Sequence, residues 1–339
     1  MAERLITVFG GSGFVGRHLV NQLADEGWRV RVAVRDPEGA KFLKPLGDLG
    51  QITPVPASLL NPESIKRACA GADVVINLVG ILHESGKASF QAIHADGAAL
   101  VAEAAKAAGV KTFVQMSALG ASSSSPSRYA RSKAEGEQRV RAAFPSATIV
   151  RPSVIFGPED GFYNRFGAMA RLLPVLVYFC KDAPGLKTSP NGGTAVDFYG
   201  AGGPKFQPVY VGDVAKAIVK ALKDPAMAGK TYELGGPRTY SLREVMEQVS
   251  RETRRNRLVL PAPMWLAKIQ AMFLQFLPNP PLTPDQVALL QSDNILTGAC
   301  PGLKDLGIEP ESVEAVIPSY IDRFRPLHRQ IRRLGKKHA

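Results

Sequence analysis

A chain of 339 residues, 45% hydrophobic and 21% charged, is long enough for one large α/β domain or a nucleotide-binding domain with a smaller appendage, and too balanced for extensive disorder. Its 42 basic side chains outnumber 30 acidic ones, a net charge of +12 that asks for an acidic partner or an anionic surface. Cys69, Cys180 and Cys300 are an odd, scattered set without CxxC spacing, which argues against a disulfide framework or a structural zinc site and favours a reducing compartment.

The first predicted strand, Leu5–Phe9, begins so early that no signal or transit peptide is expected ahead of it unless the chain is a processed form. Gly10-Gly11-Ser12-Gly13-Phe14-Val15-Gly16 follows, leading into a helix over 15–26 with Leu19, Val20 and Leu23 at helical spacing. Glycine at the strand end permits a tight turn, Gly13 lets backbone N–H groups approach a pyrophosphate, and Gly16 lets the helix pack on the strand. The helix N-terminus then faces the anion. Gly10, Ser12, Gly13, Phe14, Val15 and Gly16 are therefore candidate dinucleotide contacts.

Further strands are predicted at 29–34, 52–54, 74–78, 112–116 and 148–151, and helices at 61–70, 90–108 and 130–143. This alternation predicts a Rossmann-type, doubly wound parallel sheet, with a smaller, mostly C-terminal appended domain. The expected division is 1–157 with a return at 205–235 for the nucleotide-binding domain, 158–204 and 236–320 for the appended one, and 321–339 as a basic tail. After the second strand, Arg35 stands where an acid would hold NAD ribose hydroxyls, with Lys41 and Lys44 near in sequence. A 2′-phosphate suits that arginine, so NADP(H), as NADPH, is preferred over NAD; the alternative is a solvated loop arginine beside Asp36.

Ser117 ends one strand, and Tyr129 and Lys133 share a face of the following helix. An ammonium beside a phenol, helped by the nicotinamide ribose, lowers the phenol pKa towards proton transfer with a carbonyl or alkoxide, and Ser117 would orient the oxygen. Tyr-x-x-x-Lys alone is common on helices; after a nucleotide fingerprint and a strand-end serine it gains meaning.

With these motifs the chain resembles the short-chain dehydrogenase/reductase superfamily in its extended or atypical branch. Asn77-Leu78-Val79-Gly80 looks like the loop beneath the cofactor and Arg151-Pro152-Ser153-Val154-Ile155-Phe156-Gly157-Pro158 like the strand flanking nicotinamide, so the resemblance adds Leu78, Val79, Gly80, Pro152, Ser153 and Val154 to the cofactor contacts. The segments 208–215 and 232–237 resemble later returns to the core, while Ser58 departs from the aspartate that many relatives carry near adenine. Within the superfamily, Phe156–Phe166, Ser127–Glu137 and the apolar, basic C-terminal region resemble the nucleotide-binding accessory subunits of respiratory complex I, NADH:ubiquinone oxidoreductase. That resemblance implies tightly held NADPH without its own turnover, with Ser117, Tyr129 and Lys133 vestigial. It also implies a role in assembly and stability near the quinone-reaction region and the junction with the membrane arm. The implied location is peripheral: the cytoplasmic face of a bacterial inner membrane, or the mitochondrial matrix side for a processed eukaryotic form. The alternative is a free-standing NADP(H)-dependent reductase or epimerase using the same three residues; a redox-sensing regulator is a third class.

Residues 264–277 crowd large apolar side chains around a single charge, Lys268, too short to span a membrane and open to reading as core or interfacial helix. The run 172–179 is expected to be core or docking surface rather than lipid-inserted. In the tail, Arg325, Arg329, Arg332, Arg333, Lys336 and Lys337 follow the last acid, Asp322, and Ile321, Phe324, Leu327, Ile331 and Leu334 recur near helical spacing. A kinked amphipathic helix on anionic lipid or an acidic subunit competes with a solvated tail. Nucleic acid is not an expected partner, for no recognition fold accompanies the charge. His18, His83, His94, His328 and His338 have no ligand spacing, so no metal site is expected. Asp213 and Glu159 are read as turn or cap residues.

Overall fold

The computed structural model describes residues 4–181, 185–188, 194–197, 200–278 and 280–326. Short β-branched runs bounded by glycine and polar turns form strands β1 (Leu5–Phe9), β2 (Arg29–Val34), β3 (Ile52–Pro56), β4 (Val74–Asn77), β5 (Thr112–Met116) and β6 (Thr148–Pro152). With Thr231–Leu234 they make a seven-stranded parallel sheet in the order Thr231–Leu234, β6, β5, β4, β1, β2, β3. The inner strands β1, β4 and β5 are near-continuous, largely buried sequences because both faces are covered, whereas β2 and the edge strand β3 keep exposed positions. The order reverses between β1 and β4, so their C-terminal ends open the crevice where doubly wound sheets bind ligands.

Helices α1 (Phe14–Asp25), α2 (Pro62–Cys69), α3 (Gly97–Ala107) and α4 (Arg128–Ala143) connect these strands. Asn61 caps α2, accepting from Ser64 N, and Ser127 caps α4, accepting from Ala130 N. The helix expected over 90–108 is not uniform: Gln91–Asp96 is a π-helical turn leading into α3. Close approach to α4 accompanies the widening, since a Cβ on Gly136 would lie 2.0 Å from the His94 carbonyl oxygen.

By its internal contacts the chain forms two units. The first comprises residues up to Ser153, Val211–Gly235 and Leu296–Pro310, the last a passage that sequence analysis placed in the appended part. Phe9, Val75, Phe113, Val140 and Ile149 belong to its core. The second comprises Val154–Tyr210, Gly236–Ile295 and the chain from Glu311 onward. Its core gathers Phe156, Tyr163, Tyr178, Val245, Ile317 and Ile321. Here the 156–166 signature is a turn built on buried Asp160, whose carboxylate accepts from the N–H groups of Gly157, Phe162 and Asn164 and from the Tyr320 hydroxyl at 2.6 Å.

Two apolar segments differ from a simple core reading. In 172–179, Leu176 and Tyr178 are buried, but Leu172, Leu173 and Val177 are exposed. In the helix Met264–Leu274, Ala267 and Ala271 are buried while Trp265, Ile269, Met272 and Phe273 face outward. The tail begins later than expected: Ile321–Phe324 is a 3-10 turn with Ile321 in the core, and the nearly buried Arg325 donates from Nε to the Glu252 carbonyl at 2.8 Å. Residues 327–339, with the remaining tail charges, lie outside the described residues. No helix among the described residues is long and apolar enough to cross a membrane.

Candidate nucleotide site

The turn after β1 is shaped by backbone proximity. Gly10 has φ +76, a left-handed conformation, and a Cβ there would lie 3.2 Å from Val79 Cγ2. Leu78 N–H bonds to the Phe9 carbonyl and Val79 N–H to the Asn77 side chain, so the glycine turn and the 78–80 loop sit side by side at the ends of β1 and β4. Gly16 is held more tightly still: a Cβ would come within 2.5 Å of Gly10 O and Gly11 Cα. At the start of α1, Gly13 makes no side-chain cap and the first turn carries no acid, leaving its N–H groups and dipole to an anion. This backbone fits a pyrophosphate.

Arg35 is exposed just past the end of β2 and forms no ion pair among the described residues. Asp36 is turned away to accept Gly39 N–H at 3.0 Å, and Lys41 pairs with Glu38. Of the basic group expected after β2, Lys41 is thus already engaged. Ser58 belongs to the turn before α2, where its hydroxyl accepts Leu60 N–H and its own N–H donates to Ser64 Oγ.

At the end of β5, the Ser117 hydroxyl oxygen is buried without a hydrogen-bond partner. An orphaned hydroxyl costs free energy unless a ligand or water meets it, which is the condition a substrate oxygen would satisfy. On α4, Lys133 is buried with Nζ 3.5 Å from the Met116 carbonyl and 5.8 Å from the Tyr129 ring centroid. A Cβ on Gly80 would lie 3.2 Å from that Nζ, so the lysine lies against the 78–80 loop. Burial lowers the Lys133 ammonium to about 8 despite the opposing pull of Glu137. Glu137 is itself clamped by Arg151 through two hydrogen bonds of 2.8 and 2.6 Å. Burial pushes the Tyr129 hydroxyl up to about 12.

Sequence reasoning set His94 aside, yet the structure places it in this cluster. Its ring stacks on Phe90 and meets Tyr129 edge-on, with centroids 5.5 and 5.2 Å away. Ile81 N–H donates to Nε2 at 3.0 Å, so the neutral ring carries its proton on Nδ1 and donates to Ser132 Oγ at 2.9 Å. Ser132 in turn donates to the Tyr129 carbonyl. Burial, followed by the Lys133 charge, holds His94 down to about 2. One neutral imidazole therefore links the loop beneath the nucleotide site to the helix bearing Tyr129 and Lys133. No spacing signal could reveal this, because its partners come from two other segments.

Pro152 and Ser153 end β6 and its extension, with Ser153 N–H bonded to the Leu234 carbonyl in the same sheet. Val154 falls in the second unit, where its N–H donates to Asn294 Oδ1. Asp213 is fully buried in the first turn of the helix Val211–Lys223 and pairs with Lys216 at 2.9 Å. No metal-holding group of His, Cys, Asp and Glu occurs among the described residues.

Comparison with known proteins gives a consistent setting. The model of the NAD dependent epimerase/dehydratase family matches residues 6–235. The chain is 36% identical over 321 residues, 94% of its length and 80% of the relative's, to mouse (Mus musculus) "NADH dehydrogenase [ubiquinone] 1 alpha subcomplex subunit 9, mitochondrial". It is 41% identical over 179 residues, 52% of its length and 55% of the relative's, to the "Ceramide reductase" of Caulobacter vibrioides. In fold it is similar to a Thermus thermophilus UDP-glucose 4-epimerase solved with NAD: TM-score 0.68, 20% identity, covering 95% of this chain and 99% of that one.

Proposed function

The chain belongs to the NAD dependent epimerase/dehydratase family and, within it, to the family of the alpha subcomplex subunit 9 proteins of NADH dehydrogenase [ubiquinone]; from that premise we propose that it is an accessory subunit of respiratory complex I that holds NADPH as a structural ligand. The observation that carries this reading is a likeness to the mouse subunit that runs through 94% of the chain rather than through the nucleotide fold alone. Its place is peripheral, near the quinone-reaction region and the membrane-arm junction, on the cytoplasmic face of a bacterial inner membrane or the matrix side in a mitochondrion.

Gly10, Ser12, Gly13, Phe14, Val15 and Gly16 would take the pyrophosphate, Leu78, Val79 and Gly80 the underside of the nucleotide, and Pro152, Ser153 and Val154 the nicotinamide end. The preference for NADPH over NAD rests on Arg35, an exposed cation whose neighbour Asp36 is committed to Gly39. A ligand that binds only the folded chain stabilises it by about 2.7 kcal/mol at one hundred times its Kd, so NADPH would support assembly without being consumed. Purification of the tagged protein in mild detergent should bring down redox subunits of complex I with about one NADPH per copy. Arg35→Ala should weaken NADPH about 10- to 100-fold and leave NADH nearly unchanged, as expected for loss of a charge-assisted phosphate contact. A soluble protein without those partners would refute the assignment.

One set of observations favours a second reading, a free-standing NADP(H)-dependent reductase. Ser117 keeps an unpartnered hydroxyl, Lys133 a buried ammonium near neutrality, and one relative is named a ceramide reductase. A bound nicotinamide supplies the hydride in such chemistry. The chain would hold a carbonyl oxygen with Ser117, deliver a proton from the Tyr129 hydroxyl, and stabilise the resulting phenolate with Lys133. Tyr129→Phe separates the two readings: unchanged NADH:ubiquinone activity and assembly support the structural role, and loss of an NADPH-dependent carbonyl reductase activity supports the second.

A further inference from the structure

The helix Met264–Leu274 is built inside out for a surface helix. Its packing stripe is small, with Ala267 and Ala271 buried against Phe179 and Val287. Its outward stripe, continued one turn further, is large: Trp265, Ile269, Met272, Phe273 and Phe276 recur at helical spacing and are 43 to 81% exposed. A helix that merely closes a core places the large side chains inward.

The same surface continues onto the strand pair that precedes the helix. Val175–Cys180 runs parallel to Leu258–Pro263 with Leu258 opposite Val175, Leu260 opposite Val177 and Ala262 opposite Phe179. Opposed residues share a sheet face, and Phe179 is where the helix alanines pack. Beyond that contact Val177, Leu258 and Leu260 are left exposed. Leu172 and Leu173, also exposed, enter the first strand.

Beside Leu258 lies an open groove of about 750 Å³ that is lined by Arg251, Arg254, Asn256, Arg257 and Glu247. Glu247 is engaged by Arg243 at 2.7 Å, which leaves the groove's cations in excess. Arg254 sits at φ +53, the left-handed region that favours glycine. Arg257 Nε donates to the Ala170 carbonyl, joining the groove to the turn carrying Arg171, Leu172 and Leu173. Burial, and then the like charges of Arg257 and Arg171, lower neighbouring Arg255, which marks this rim as a concentration of positive charge.

We propose that this face of the second unit is a docking surface for an anionic phospholipid bilayer, in which Trp265, Phe273 and Phe276 enter the interface and the Arg251–Arg254–Arg257 groove receives a lipid phosphate. Charge complementarity selects the occupant, because large apolar side chains rimmed by arginines match the acyl–headgroup boundary of an anionic leaflet, whereas a neutral apolar partner leaves the arginines unpaired. The inference goes beyond the nucleotide and assembly reading and does not depend on either. It also needs no contribution from residues 327–339.

The test uses the full chain and vesicles of phosphatidylcholine, alone or with 30% phosphatidylglycerol. With Trp28→Phe, Trp265 is the single reporter, and its emission should shift to the blue and be quenched by brominated lipid only with the anionic vesicles. Arg251→Gln and Arg254→Gln should each weaken sedimentation with those vesicles about fivefold. Trp265→Ser with Phe273→Ser should weaken it at least about tenfold, with melting and NADPH binding unchanged because these side chains are exposed. Binding that persists undiminished in these variants, with Trp265 emission unmoved, assigns attachment to the tail and overturns the proposal. Failure of the full chain to bind anionic vesicles overturns it as well and leaves the face to a protein.

Discussion

Gly16→Ala isolates the contact on which the nucleotide turn depends. The new methyl would stand 2.5 Å from both Gly10 O and Gly11 Cα and 2.6 Å from Gly11 C, against a comfortable carbon–carbon separation of about 3.5–4.0 Å, so α1 or the turn must move by roughly 1 Å. All three obstacles are backbone, which no rotamer change relieves. Replacing a helical glycine gains about 0.5–1 kcal/mol in propensity, but overpacking of this kind costs about 1–3 kcal/mol or more, so the clash wins. The expected net loss is about 1–2 kcal/mol, a melting temperature lower by about 2–8 °C, together with a fall in NADPH affinity exceeding tenfold. Gly13→Ala is the control. Its methyl meets only Gly10 O at 3.2 Å, so stability should change little while the approach of a phosphate is obstructed. Thermal unfolding with and without NADPH, and nucleotide titration by fluorescence, read both effects. A Gly16→Ala protein that melts within 1 °C of the parent and binds NADPH equally well would refute the reasoning.

Three further outcomes follow from groups around the two units. His94 is held neutral, with its folded pKa down to about 2 against an unfolded value of 6.5, so its contribution is fully present above pH 6.5 and is lost as the pH falls below it. Urea melts should show about 1.2 kcal/mol lost between pH 7 and 5.5 that is absent from His94→Gln; parallel pH profiles would exclude the neutral-ring assignment. Lys133→Met removes a buried ammonium whose pKa is lowered to about 8, and should stabilise the nucleotide-free protein at pH 7 by about 1–3 kcal/mol while weakening NADPH, as calorimetry can check. The gain should shrink as the pH rises through 8 towards 10.5, because the parent lysine then sheds its charge. Asp160→Ala leaves three backbone N–H groups and the Tyr320 hydroxyl without their acceptor, and should cost about 3 kcal/mol or more of second-unit stability by chemical unfolding; a loss under 1 kcal/mol would show that the turn finds other partners.

Much of the first unit was legible from sequence because its information is local. β1, β2 and β5 have the bounds expected from β-branched runs, and β3, β4 and β6 differ by one or two residues at their ends. The glycine turn announced itself through spacing that only a strand–turn–helix around an anion requires. Less legible was the interior of the site. Ser117, Tyr129 and Lys133 were identified by type and interval, but the rise of the phenol pKa depends on burial, which no interval encodes. His94 was missed because Ile81 and Ser132 reach it from different segments. The apolar stretch 264–277 was ambiguous for a related reason. Composition shows that Trp265 and Phe273 are apolar; only packing shows that Ala267 and Ala271 are the pair turned inward.

The sequence by itself determined the parallel α/β architecture, the nucleotide turn, the basic excess and the family, because hydrophobic period, glycine spacing and charge act along the chain over a few residues at a time. Tertiary structure decided that Leu296–Pro310 returns to the first unit, that Arg325 is nearly buried against the Glu252 carbonyl, and that a row of large apolar side chains remains outside. These outcomes depend on which distant segments compete for the same buried volume, a quantity set by the packed fold.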